Sequence, residues 1–168
     1  MKTITFKPVG VVLLLLMACS PCFSQYFLAT SIGGGATMRF PDAIKEVPIE
    51  GAKEVTCTLS DYTYIGMTVP IGDYTLPGNK DSSDAFYAEA IEGMKPTTGM
   101  TDLHVKDFTY NGIAGKDINY KVTGGNFART RLLVTNNTLY ACSVVAADLD
   151  KVKGKVADVF LDSFKMEK

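Results

Sequence analysis

Val55, Cys57 and Leu59 alternate with Glu54, Thr56 and Thr58, and Thr63, Ile65, Met67, Val69 and Ile71 alternate with Tyr62, Tyr64, Gly66 and Thr68. A period of two marks a half-buried strand, so two strands are predicted, joined near Ser60-Asp61. Phe86, Tyr87, Ala90, Ile91 and Met94 then recur at helical spacing behind Asp81 or Ser82, either of which suits a cap. That helix should end around Gly93 to Pro96 and pack its one apolar face on the sheet. A short first strand is predicted near Tyr26 to Ile32, with Gly33-Gly34-Gly35 opening a mobile loop towards Arg39-Phe40-Pro41.

Three turn signals order the stretch from Asp102 to Ala147. Asn111-Gly112 and Asn136-Asn137 suit two-residue hairpins and Gly124-Gly125-Asn126 a three-residue loop, which makes an antiparallel meander of four strands. In that register Leu103 and Val105 face Tyr120 and Ile118, these face Thr130 and Leu132, and these face Ser143 and Ala141. One face is therefore nearly all apolar, as a correct register requires. A final helix, capped by Asp148, is predicted from the stripe Leu149, Val152, Val156, Val159 and Phe160. The expected fold is α+β: a twisted antiparallel sheet of about six strands with a mid-chain and a C-terminal helix packed on it.

Lys2 and Lys7 precede an apolar run from Val9 to Ala18, the order of a secretory leader, which assigns residues 1–24 to a signal peptide and 25–168 to a single domain. The run falls short of the ~20 apolar residues that a membrane-spanning helix needs. Two processing sites compete: cleavage before Gln25 would release a soluble protein, whereas Leu16-Met17-Ala18-Cys19 resembles a lipobox whose Cys19 would carry a lipid anchor. In either case the expected address is exported, periplasmic or secreted, or anchored to the envelope.

Without residues 1–24 the chain keeps 144 residues, with 15 basic side chains against 18 acidic ones once Lys2 and Lys7 are gone. An acidic balance argues against a general nucleic-acid binder. Cys57 and Cys142 are the cysteines certain to lie in the folded domain; they could form one disulfide in an oxidising compartment, or stay as two buried thiols.

Several pieces together resemble small exported bacterial proteins of the Mog1/PsbP-like fold. They are Phe40-Pro41, the mid-chain helix, Tyr110-Asn111-Gly112-Ile113-Ala114-Gly115 leading into a strand, the strand Arg131 to Cys142 with Leu139-Tyr140, and the ending Val159-Phe160-Leu161-Asp162-Ser163-Phe164. The better-known members act by docking on other proteins, and many bacterial members have no assigned function. The resemblance implies a partner-binding role without catalysis.

Catalytic chemistry finds little support in the residues. His104 is the single histidine, no Gly-x-Ser-x-Gly elbow is present, and the meander sets His104 and Cys142 three strands apart, roughly 14 Å. Neither a CxxC pair nor a His-x-x-x-His face offers a metal site, the triple glycine lacks the Lys-Ser/Thr of a phosphate loop, and no cofactor is expected. One constellation remains, on the face opposite the apolar one: His104, Lys106, Asn119, Lys121, Arg129 and Arg131, with Asp102, Asp117, Leu133, Tyr110 and Tyr140 among them. In the predicted register His104 aligns with Asn119, Asn119 with Arg131, and Arg131 with Cys142. This face reads as a docking surface for an acidic partner or an anionic glycan or lipid headgroup, or as the wet side of the sheet, or as a face partly covered by the first helix with Lys106 paired to Asp117 across strands. Tyr62 and Tyr64, on the outward side of their strand, would make a small aromatic platform for a sugar, though tyrosine is also a favoured strand residue.

The expectation is an exported, non-catalytic binding or accessory module of the bacterial envelope with an envelope protein as partner. The alternative is an enzyme or a small-molecule or glycan binder that uses the polar face around His104, Arg129 and Arg131.

Overall fold

The computed structural model describes residues 28–72 and 80–167. The leader, Cys19 and the Gln25 cleavage point lie outside the described residues, as do the side chains of Asp81 and Ser82.

The hairpin of β1 (Leu28–Gly33) and β2 (Ala36–Phe40) is followed by β3 (Lys45–Ile49), β4 (Ala52–Leu59) and β5 (Tyr62–Pro70). After α1 (Lys80–Thr98) comes the meander β6 (Thr101–Tyr110), β7 (Ile113–Lys121), β8 (Phe127–Thr135) and β9 (Thr138–Ala146). The chain finishes with α2 (Leu149–Lys153), α3 (Lys155–Leu161) and β10 (Lys165–Met166). Seven strands form one antiparallel sheet in the order β3-β4-β5-β9-β8-β7-β6, and β1-β2-β10 form a second, smaller sheet.

The α+β class and the four-strand meander are as expected, and the main sheet has seven strands where about six were anticipated, with the three-stranded sheet in addition. The extra ones are short: β3 contains Pro48, which suits its place at an edge of the sheet, and β10 has two residues. The triple glycine is the tight turn of the β1–β2 hairpin, and the Tyr140 hydroxyl donates to the Gly34 carbonyl across it. Asn111-Gly112 and Asn136-Asn137 all take positive φ, as two-residue hairpin turns require. α1 runs on through Pro96 to Thr98 instead of stopping before the proline.

The large sheet is covered on both faces. Tyr87 and Ile91 of α1 lie on Ile118, Tyr120, Leu132 and Ala141, the face the sequence pattern marked as apolar. Tyr87 is pinned there: its hydroxyl donates to the Ala114 carbonyl at 2.8 Å and accepts from the Val134 amide at 3.0 Å. The opposite face carries the second core, in which Ile32, Met38 and Phe40 of the small sheet and Phe160, Leu161 and Phe164 meet Val55, Tyr64, Tyr140 and Val144. The readings of this face as wet or as covered by the first helix are both overturned: the small sheet and the C-terminal segment cover it. Tyr64 is fully buried, its ring edge-on to Phe160 at 5.0 Å and stacked with Tyr62 at 5.8 Å, so the two tyrosines pack together on the second core and make no outward platform.

Two glycines set these layers. A Cβ on Gly66 would stand 2.7 Å from Ile32 Cγ2, so the bare backbone at that point of β5 lets the small sheet seat directly on the large one. Gly154 separates α2 from α3; its backbone is extended, and a Cβ there would approach the Asp150 and Lys151 carbonyl oxygens at 3.1 and 3.3 Å. The single C-terminal helix expected from the apolar stripe is therefore two. The break re-aims the second half: Ala157, Phe160 and Leu161 are buried, whereas Val156 and Val159 face solvent. Asp148 caps α2 as expected, accepting from the Asp150 amide at 2.8 Å.

Candidate functional site

Five of the residues singled out on the polar face lie around one cleft or on its floor, where α2 and α3, packed on β8 and β9, border the polar side chains of β6, β7 and β8. Lys106 and Phe108 of β6, Asp117 and Asn119 of β7, and Arg129 of β8 line a cleft of about 360 Å³. Lys153 and Asp158, on either side of the Gly154 break, close it from the helix side, and Asp107 of β6 completes the lining.

The floor is a buried ion-pair network. Arg129 donates from Nε to both Asp117 carboxylate oxygens at 2.9 and 3.2 Å and from Nη2 at 2.8 Å, while its Nη1 reaches Asp158 at 2.7 Å. Arg131 donates from Nε to Asp117 at 3.1 Å and from Nη1 to Asp162 at 2.6 Å, and its guanidinium lies 4.6 Å from the centre of the Phe108 ring. Burial alone would raise the Asp117 carboxyl, yet the hydrogen bonds and charges of Arg129 and Arg131 outweigh it and hold the group below the usual carboxylate range. The Asp117 hydrogen bond raises Arg129 further above its ordinary value against the opposing effect of burial, with Asp158 adding to it.

This clamp follows from two matching repeats. Arg129 and Arg131 stand two residues apart on a strand, about 6.7 Å. Asp158 and Asp162 stand four apart along the end of a helix, about 6 Å. The two acids therefore meet the two bases one to one when the helix lies along the strand.

The network also corrects the expected register. Asn119 faces Arg129 and Asp117 faces Arg131, a shift of two residues from the alignment predicted. The β7–β8 connection spans residues 122–126, closed by Val122 donating to the Asn126 carbonyl at 2.8 Å, and not three residues. A shift of two keeps every side chain on its face, which is why the polar set was still grouped correctly. The Lys106–Asp117 pair does not form; the two arginines take that carboxylate instead.

Asn119 is left in an unusual state. Its residue is only 6% exposed, and its Oδ1 is buried with no hydrogen-bond partner, the one such side-chain atom among the described residues. Lys106 and Lys153 stand exposed at the cleft margin and form no ion pair among the described residues.

The remaining sequence candidates fall elsewhere. His104 is exposed on edge strand β6 opposite Asn119, and Lys121 lies at the end of β7 with its ammonium 5.9 Å from the Phe127 ring centre. Tyr140 is fully buried in the second core and spends its hydroxyl on Gly34. Cys57 and Cys142 are free and buried on β4 and β9 with β5 between them, two strand spacings or ~10 Å apart, too far for a disulfide. Burial pushes the Cys142 thiol up to about 12 against the opposing charge of Arg131, which removes it as a nucleophile at neutral pH. Sequence reasoning missed Lys153, Asp158 and Asp162; the signal that could have found them was the pair of aspartates at i and i+4.

No family model matches the chain, and no curated protein matches its sequence. Among solved structures, the solution structure of cyanobacterial PsbP (CyanoP) from Synechocystis sp. PCC 6803 superposes with a TM-score of 0.57 at 15% identity, over 90% of this chain and 99% of that one. The fold is PsbP-like. A protein of unknown function from Pseudomonas aeruginosa matches at a TM-score of 0.44 and 12% identity, over 79% of this chain and 90% of its own, too distant to argue from. At these identities the PsbP-like fold is shared and nothing about the cleft transfers with it. No described helix is long and apolar enough to cross a membrane.

Proposed function

We propose that this PsbP-like chain is a non-catalytic binding module, exported to serve as an accessory component of the bacterial envelope, and that it recognises its ligand or partner through the cleft between β6–β8 and the α2–α3 break. The observation that carries the reading is the contrast inside the cleft. Arg129, Arg131 and Asp117 are bonded to one another and to the helix, which makes a rigid floor, whereas Asn119 Oδ1, Lys106 and Lys153 are left with polar capacity unused. Binding sites combine a fixed frame with a few such convergent polar groups.

The leader signature supports export, and the likeness to cyanobacterial PsbP supports an accessory role. The inert, buried Cys142 and the distant, exposed His104 support the absence of a thiol mechanism.

Amine crosslinking in the native organism tests this. Crosslinks from Lys106 and Lys153 to one reproducible envelope component, exceeding those from the exposed Lys45 and Lys165, are expected. Crosslinks spread evenly over all four lysines would reject the cleft as the recognition site.

A further inference from the structure

Resting on the binding reading above, we infer that the partner is an extended peptide segment that adds as a further strand on the outer edge of β6, with acidic side chains on its cleft side. What that edge leaves over is backbone. β6 ends the seven-strand sheet and runs for ten residues without a proline, whereas β3, at the other end, has five residues and contains Pro48. The two-residue turn at Asn111-Gly112 makes Tyr110 and Ile113 a hydrogen-bonded pair, and bonded and non-bonded pairs alternate from there along the ladder. Val105 and Thr109 therefore turn their N–H and C=O groups away from β7, and no described strand pairs with them on that side. Donors and acceptors at strand spacing are matched by another extended backbone.

The side chains select the peptide. Lys106, on the cleft side of this edge, and Lys153, in the same lining, are exposed and form no ion pair among the described residues. The acids of the lining are committed: Asp117 and Asp158 to Arg129, and Asp107 to Lys116. A carboxylate opposite Lys106 would thus meet the two uncommitted cations. On the other side of β6, Val105 is 46% exposed, an apolar position that a neighbouring strand would cover. The irregularity between Thr101 and His104 limits the usable edge to residues 104–110. Along that stretch β6 sets His104, Lys106, Phe108 and Tyr110 on the cleft side, and no acid, so a second copy of the chain would bring Lys106 no carboxylate. The occupant is a different chain.

The test is a nitrogen-edited NMR titration of the full processed chain, following the backbone amides of Val105 and Thr109 by shift and by hydrogen exchange. Its probes are two capped seven-residue peptides, one alternating Glu with Val and one alternating Lys with Val. Saturable binding of the Glu peptide is expected, with exchange at both amides slowed about tenfold or more. N-methylation of one alternate set of the peptide's amides should abolish binding, and methylation of the other set should leave it. Lys106→Gln should weaken the Glu peptide about fivefold, and Lys106→Gln with Lys153→Gln should erase the preference over the Lys peptide. Unslowed exchange at both amides, or binding that survives methylation of either set, overturns the proposal. In that event, crosslinks that still concentrate on Lys106 and Lys153 would leave the cleft as the recognition site and reject only strand addition.

Discussion

Arg129 reaches diagonally past Asn119, the residue directly opposite it, to clasp Asp117 with three hydrogen bonds. One geometric choice thereby makes both halves of the site. The guanidinium opposite Asn119 is committed to a carboxylate, and the amide oxygen is left buried without a partner beneath the cleft.

Asp117 should be the most sensitive polar position in the chain. Its carboxylate is 12% exposed and is shared by two arginines at 14% and 13%, so Asp117→Asn leaves two buried cations undercompensated and should destabilise by about 3–5 kcal/mol. Asp162→Asn removes a partner that is 65% exposed, and should cost about 1 kcal/mol or less. Urea unfolding of the two variants beside the wild type measures the contrast; equal losses would mean that Asp117 is not the hub.

The same group sets a pH dependence. Asp117 has a folded value below its ordinary 3.8, so its contribution is complete above that value and is lost as pH falls below it through the lowered folded value. The stability gap between wild type and Asp117→Asn should accordingly close on acidification below about pH 4 and stay flat from pH 5 to 7. Melting curves across that range check it, and a gap that widens in acid would contradict the assignment.

Gly66 should tolerate no side chain. Alanine there would place its Cβ against Ile32 and lift the small sheet, with a loss of about 1–3 kcal/mol, part of it recovered by Ile32→Ala in the double variant. Additive losses in the double variant, measured by denaturant unfolding, would show that the two residues do not meet.

Cys57 and Cys142 should resist a thiol reagent in the native state and react only on unfolding, because both thiols are buried and burial raises both. Peptide mass mapping after labelling with and without denaturant reads this directly. A Cys57–Cys142 disulfide in the native protein would contradict the sheet order.

The sequence revealed local pairing well and layering poorly. Asn111-Gly112, Asn136-Asn137 and the alternation along β4, β5 and β6–β9 depend on neighbours in the chain, and the meander followed from them. What covers each face depends on distant segments. The strand pattern of Arg129, Arg131 and Asp117 is that of a wet face, and it took the Gly154 break and the i, i+4 aspartates of the last helix to bury those charges. The short β3 and β10 carry too few residues for a period to emerge. The candidate site was half legible for the same reason: its strand half stood in the alternation, and its helix half was hidden in a stripe read as apolar.

The most direct test of the cleft as the recognition site is lysine footprinting in intact cells and on the purified chain. Brief acylation, read by peptide mass, compares Lys106 and Lys153 with the exposed Lys45 and Lys165. The account predicts that Lys106 and Lys153 are shielded in cells and become as reactive as the other two once the chain is purified away from its ligand. The same reactivity ratio in both settings would show that nothing occupies the cleft where the protein works, and would contradict the account.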